Sequence, residues 1–300
     1  KNYQYYFLDN YHSIFLYANY YGGAGVGIGD FDNDGLDDIF LAANLIDDKI
    51  YRNLGDFQFE DKTKLSGIIN NGSWSTGVTV ADVNNDGLLD IYVSCELYDD
   101  APFLRTNKLY INKGDFKFVE SAKKWGVDVD RRTRHSVFFD YNNDGLLDLY
   151  LLNHPPNTGN FSPFFGSDMT LPEYNLQLFE NKGDHFVDVT EKAGLNRAGF
   201  PNAAVIGDFN KDGWADIYVA NDFDAPDFLY FNNKDGSFSY KTESSLRHTS
   251  FYSMGVDAAD INNDSYLDLM VLDMTAEDNF RLKSNMSGMN PDSFWNVVNG

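Results

Sequence analysis

Cysteine is almost missing from this chain of 300 residues: Cys95 stands alone, so no intrachain disulfide is possible. In DIYVSCE it reads as a small buried apolar side chain. Basic residues are scarce too. Lys and Arg total 23 against 46 Asp and Glu, a net charge of −23. A phosphate backbone needs a basic footprint, so nucleic acid is excluded as a partner and cations are favoured. No apolar run reaches the roughly 18 residues of a membrane helix, so no transmembrane segment is expected. The opening KNYQYYFLDNYHS has neither an apolar leader core nor a small-residue cleavage site. A mature chain, a cytosolic chain and an excised piece all stay open. A nucleophile motif, a phosphate loop and a His-rich catalytic metal site are absent as well, which weighs against an enzyme.

What is present is aromatic and repetitive. With 25 Phe and 19 Tyr in a chain that is 43% hydrophobic, there is material for a core, and sheet is favoured over helix. An acidic string recurs five times: DFDNDGLDD from Asp30, DVNNDGLLD from Asp82, DYNNDGLLD from Asp140, DFNKDGWAD from Asp208 and DINNDSYLD from Asp260. The starts lie 52, 58, 68 and 52 residues apart, too uneven for a strict solenoid but suited to blades that differ in one loop.

Each string sits between the same neighbours. Before it lies a short strand of small and branched residues, such as GVGIG or GVTVA. After it comes an apolar strand, such as DIFLAAN or DIYVSCE. A third strand ends in asparagine (KIYRN, KLYIN, QLFEN, FLYFN), and a fourth follows (FQFED, FKFVE, HFVDVT, FSYKTE). The fifth unit shows only its first two strands clearly. Four antiparallel strands repeated in this way predict an all-β fold, a β-propeller of four-stranded blades. The glycines and alanines suit the innermost strand, where blades converge; blade three departs, with His135 and Phe139. An array of β-sandwiches is the alternative.

Within the nine-residue string, positions 1, 3, 5 and 9 carry Asp or Asn in every copy. Their oxygens can converge on one hard cation, with a backbone carbonyl from position 7. Six to eight oxygens suit Ca²⁺ better than Mg²⁺. The candidate ligands are Asp30, Asp32, Asp34, Leu36 and Asp38; Asp82, Asn84, Asp86, Leu88 and Asp90; Asp140, Asn142, Asp144, Leu146 and Asp148; Asp208, Asn210, Asp212, Trp214 and Asp216; and Asp260, Asn262, Asp264, Tyr266 and Asp268. Glycine at position 6 permits the sharp turn, except in the last copy, where Ser265 predicts the weakest site. The EF-hand reading fails, because position 12 is Leu or Val in every copy rather than Glu. Turns that merely cap strands, without metal, are the bland reading.

This combination resembles the FG-GAP or VCBS repeat family, the calcium-bearing blades of integrin α-subunit propellers, from about Gly22 to Met274. Within that group it is similar to bacterial relatives of cartilage acidic protein, through YYGGAGVGIGDFDNDGLDDIF, WSTGVTVADVNNDGLLDIY and VLDMTAEDNFR. The resemblance implies a seven-bladed ring, extracellular, cell-surface or periplasmic placement, and a binding role. Five visible blades imply part of a larger chain: a lead-in segment at 1–21, blades over 22–275, and a connecting segment at 276–300 with a short helix from Asn290 and Pro291.

Connectivity places the remaining loops opposite the acidic strings. The long stretch from Asn153 to Asn175 lies there, as do most arginines. Candidate ligand residues are Trp74, Arg131, Arg132, Arg134, His135, His154, Arg197, Asp222, Asp224, Arg247 and His248. Guanidinium groups there can hold carboxylates or sulfates of a protein or glycan. Arg134 and Arg247 are expected to be removable without loss of stability. Trp74 could stack on a sugar or pack between blades. The enzyme alternative is a polysaccharide lyase using His135 or His248 as base.

Overall fold

A computed structural model describes residues 22–44, 46–98, 101–155, 173–222, 225–250 and 252–274. The expected lead-in, the connecting helix, Asp224 and most of the Asn153–Asn175 loop lie outside these residues. Blade one is β1 (Val26–Gly29), β2 (Asp38–Leu41), β3 (Lys49–Asn53) and β4 (Phe59–Asp61). Blade two is β5 (Trp74–Ala81), β6 (Asp90–Glu96), β7 (Lys108–Asn112) and β8 (Phe118–Glu120). Blade three is β9 (Arg132–Phe139), β10 (Asp148–His154), β11 (Gln177–Asn181) and β12 (Phe186–Asp188). Blade four is β13 (Pro201–Gly207), β14 (Asp216–Asn221), β15 (Phe228–Asn232) and β16 (Phe238–Tyr240). Among the described residues the fifth blade has two strands, β17 (Ser253–Ala259) and β18 (Asp268–Asp273). Every sheet runs in sequence order and pairs antiparallel, and the acidic string is always the hairpin between the first two strands.

The first strands of successive blades face one another, β1 to β5, β5 to β9, β9 to β13 and β13 to β17. This is the packing of propeller blades about an axis, and it explains the small residues. Gly27 and Gly29 receive Val78 and Val80 of the next blade, and Gly77 lies against Arg134 and His135. His135 in blade three is therefore accommodated by a missing side chain in blade two. The core lies between blades rather than within one: Phe31, Phe40 and Ile50 pack with Ile91, Val93 and Tyr110, and Tyr92 and Leu109 with Leu149 and Phe179. Cys95 is buried in the first of these layers. At the ends of the array, Val26 and Ile28 are 53% and 59% exposed, whereas their equivalents Val78 and Val80 are covered by blade one.

One feature that periodicity does not signal is a one-turn helix after each fourth strand: α1 (Thr63–Ser66), α2 (Ala122–Trp125), α3 (Thr190–Ala193) and α4 (Thr242–Ser245). The hydroxyls of Thr63, Thr190 and Thr242 accept the N–H of Ile50, Leu178 and Leu229, tying α1, α3 and α4 to the third strands of their own blades.

Polar clamps join the blades. The Asn112 side chain donates to the Phe31 carbonyl of blade one, Asn181 to Val83 of blade two, and Asn232 to Tyr141 of blade three. The repeated third-strand asparagine is thus a staple to the preceding blade. At the other end of the strands, buried Asp48 accepts the hydroxyl of Ser75 in the next blade, Asn107 donates to Thr133, and Asp227 accepts the hydroxyl of Ser253. Asp227 also accepts the Tyr218 hydroxyl at 2.7 Å and the Asn221 N–H at 2.7 Å. Asp227→Ala leaves these donors buried without an acceptor, so chemical denaturation is expected to show a loss of about 2 kcal/mol. Burial holds the Asp227 carboxyl above the usual range. A raised folded pKa favours the folded state most below the unfolded value and less as pH rises through the folded one. The deficit of the variant should therefore be larger at pH 4 than at pH 7.5; an equal deficit contradicts the assignment.

Candidate functional site

The acidic hairpins share one internal geometry. The first aspartate accepts two backbone N–H groups, from positions 5 and 6; for Asp30 these are Asp34 at 3.0 Å and Gly35 at 2.8 Å. The pattern recurs at Asp82, Asp140, Asp208 and Asp260. Position 5 accepts the N–H of position 7, so Leu36, Leu88, Leu146, Trp214 and Tyr266 are each fixed by their own loop. In loops two to five the asparagine at position 3 accepts the N–H of position 5. Glycine at position 6 has φ near +85° in four loops, and Ser265 adopts φ +68° in the fifth, where a side chain is strained.

Position 9 has a second role that its spacing does not reveal. Asp38, Asp90, Asp148 and Asp216 are at most 1% exposed. One oxygen of each accepts the N–H of position 2, and the other accepts the N–H of the third-strand asparagine. This aspartate joins the loop to the body of its blade. Burial, with the neighbouring loop carboxylates adding to it, pushes Asp90 and Asp148 up to about 7 and Asp216 to about 6. These carboxylates are hard to ionise without a positive charge nearby.

In the first loop, Asp30, Asp32 and Asp38 each offer an oxygen within 4.8 Å of the others. Asp32 Oδ1 is buried without a hydrogen-bond partner. All-oxygen donors and an unmatched buried carboxylate oxygen fit a hard divalent cation. Adjacent loops are also linked. Asn33 Nδ2 donates to Gly87 of loop two at 3.0 Å, Asn85 to Gly145 of loop three at 3.4 Å, and Lys211 Nζ lies 3.5 Å from the ring centre of Tyr266 in loop five. These residues occupy position 4, whose backbone is left-handed in every loop.

At the opposite ends of the strands the structure gathers only part of the expected ligand set. Arg131, Arg132 and His154 line a 450 Å³ cleft between blades two and three. They are joined by Arg105, which sequence reasoning passed over because it precedes a third strand rather than a first. Asp130, Glu173 and Tyr174 complete the lining. Arg105 Nε donates to the Asp130 carbonyl, and Arg131 donates to the Asn175 carbonyl at 3.3 Å. His154 Nε2 donates to Pro201 O at 2.8 Å, while Nδ1 stands 4.0 Å from Glu96; burial holds the imidazole below its usual pKa.

Several candidates are placed elsewhere. Arg134 lies 3.5 Å from buried Glu96, so it is part of a structural ion pair, and removing it is expected to destabilise, contrary to the sequence-based expectation. Trp74 is 1% exposed and packs on Leu97 and Tyr98, which leaves no ring face for a sugar. His135 is wedged against Gly77, and burial lowers its pKa. The Arg197 guanidinium stacks on Tyr240 at 4.0 Å, on the outer part of blade four. Asp222 is buried at the end of β14, and its N–H donates to Phe200. Arg247 and His248 are exposed between α4 and β17.

Residues 30–93, 166–219 and 208–271 match the FG-GAP-like repeat family. Human cartilage acidic protein 1 is 25% identical over 211 residues, covering 68% of this chain and 29% of that protein. Its Xenopus tropicalis counterpart is 28% identical over 135 residues, covering 45% and 20%. The chain thus spans less than a third of the length of these curated relatives. Among solved structures, it is similar to an Agrocybe aegerita lectin described for specific recognition of non-reducing terminal N-acetylglucosamine, with TM-score 0.46 and 17% identity over 81% of this chain and 59% of that one. It is also similar to the V. cholerae biofilm matrix protein Bap1, with TM-score 0.33 and 15% identity over 74% and 30%. Because the matched stretches take in more than half of the chain, and the same hairpin opens every described blade, the chain belongs to the FG-GAP-like repeat family.

Proposed function

We propose that this chain is a binding module of the extracellular space, cell surface or periplasm, stiffened by Ca²⁺ in its five hairpins and receiving an acidic group of a partner protein or glycan on the opposite face. The ions would be held by positions 1, 3, 5 and 9 with the position-7 carbonyl, and would offset the crowded carboxylates of each loop. Further blades would cover Val26 and Ile28 in a closed seven-bladed ring. The observation that carries the ligand reading is the cleft: three arginines line it, with Asp130 and Glu173, on a chain of net charge −23. Among the described residues, no helix is long and apolar enough to cross a membrane.

Guanidinium groups bind carboxylate and sulfate bidentately, and a recessed cleft weakens competition from water. The lyase alternative takes His135 or His248 as the base, and neither lines the cleft: His135 is wedged against Gly77, and His248 is exposed between α4 and β17. His154, the imidazole in the cleft, donates Nε2 to Pro201 and has Nδ1 4.0 Å from Glu96, which favours binding over proton abstraction there.

Calorimetry with polygalacturonate, a sulfated heparin oligosaccharide and an acidic peptide tests the reading, with neutral dextran as control. At least one acidic probe should bind in a salt-sensitive manner. Arg131→Ala should weaken that binding by about tenfold, the loss of one charge-assisted contact, with the melting temperature unchanged. Binding of dextran alone, or affinity unaltered by Arg131→Ala, would contradict the cleft as the ligand site.

A further inference from the structure

The first acidic loop differs from the other four in charge. It has Asp32 at position 3, where loops two to five have Asn84, Asn142, Asn210 and Asn262. It therefore carries one more carboxylate among its candidate ligands. The residue before the third-strand asparagine differs as well. It is Arg52 in blade one, but Ile111, Glu180 and Phe231 in blades two to four. The fold brings these two departures together. Arg52 Nε lies 2.7 Å from Asp32 Oδ2, and Nη2 donates to Asp34 Oδ2 at 2.9 Å. The Asp32 side chain is 13% exposed and that of Arg52 33%.

We propose that Arg52 is a resident cation of the first loop, neutralising the extra carboxylate of Asp32, holding the loop together before metal arrives and loosening its grip on a divalent ion. The inference rests on the metal reading above. The guanidinium engages the Oδ2 atoms of Asp32 and Asp34. The Oδ1 atom of Asp32 is buried without a hydrogen-bond partner, and one oxygen of Asp32 lies within 4.8 Å of oxygens of Asp30 and Asp38. Guanidinium and ion would therefore draw on the same carboxylate. Two positive charges so placed repel, and the guanidinium also withholds two oxygens that could turn toward the ion. Among the candidate ligands alone, Arg52 offsets the one carboxylate that loop one has beyond loops two to five; Asp37, at position 8 and outside the ligand set, adds a fifth carboxylate to the string.

The role has a signature that ordinary packing lacks, because its two effects have opposite signs. Arg52→Gln should lower stability without metal and raise affinity with it. A residue that only positions the loop would lower both. The test is a titration of the intact chain with calcium chloride, followed by NMR at the amides of Gly35, Gly87, Gly145 and Gly213. Each of these donates to the first aspartate of its own loop. In Arg52→Gln the calcium midpoint at Gly35 should fall by about tenfold, as expected for removing one partly screened unit charge, while the other three stay put. The metal-free variant should melt lower than the parent. Arg52→Lys should keep the parent midpoint within a few-fold, and Asp32→Asn with Arg52→Gln should return Gly35 to it.

A Gly35 midpoint that is unchanged or higher in Arg52→Gln, with the other loops binding normally, overturns this inference alone. Silence of all four amides overturns the metal reading and this inference with it. If Arg52→Gln does not fold, the double variant decides: rescue by removing the Asp32 charge supports the counter-charge role, and failure to rescue overturns it.

Discussion

Removing divalent metal with EDTA should lower the melting temperature by about 10 °C or more, in one transition rather than five. The size follows from linkage: an ion in thousandfold excess over its Kd contributes about 4 kcal/mol per site, and each kcal/mol moves the melting point of a domain this large by about 2–4 °C. The single transition follows from how the loops are wired. Asn33 and Asn85 bridge to the next loop, and Lys211 lies on Tyr266. The aspartate at position 9 anchors each loop to the third-strand asparagine, which in blades two to four staples back to the preceding blade. A loop that opens therefore loosens its own blade and its neighbour. Differential scanning calorimetry in calcium and in EDTA measures the effect. A melting profile that is the same in both would remove metal from the account of stability.

The second large effect is expected at the axis. A Cβ on Gly77 would stand 2.8 Å from His135 Nδ1 and 2.9 Å from Arg134 O and His135 Cα. Two of those atoms are backbone and cannot rotate away. Gly77→Ala should therefore push blades two and three apart, at a cost of about 3 kcal/mol, the upper part of the range for overpacking. Gly72 supplies the control. It has φ +79° and nothing within 4 Å of an added Cβ, so Gly72→Ala bears only the left-handed backbone penalty, about 1–2 kcal/mol. Equal losses for the two variants in urea unfolding would mean that Gly77 is not there for room between blades.

Much of this architecture was legible beforehand, because its signals are local and repeated. Alternating acidic residues with glycine at position 6 specify a tight hairpin, and the strands on either side show by composition which one is innermost. The hairpin, the strand order and the inner strand all follow from neighbours a few residues apart. The third-strand asparagines were visible as a pattern, but their carbonyl partners lie up to 98 residues away, so no local rule could assign the role. The same holds for Asp227 and Ser253, and for the one-turn helices, which are too short to show a period.

The arginines mark the boundary most clearly. Their number and their position in loops opposite the hairpins could be read from the chain. Which of them share a cleft could not. Arg131, Arg132 and Arg105 meet because blades two and three pack side by side; Arg134, two residues away, turns to Glu96, and Arg197 stacks on Tyr240. Composition and spacing determine the unit and its hairpin, since those depend on backbone geometry within one blade. The partner of each charged side chain was decided only by tertiary packing, because a guanidinium pairs with whatever carboxylate or ring the neighbouring blade brings within reach.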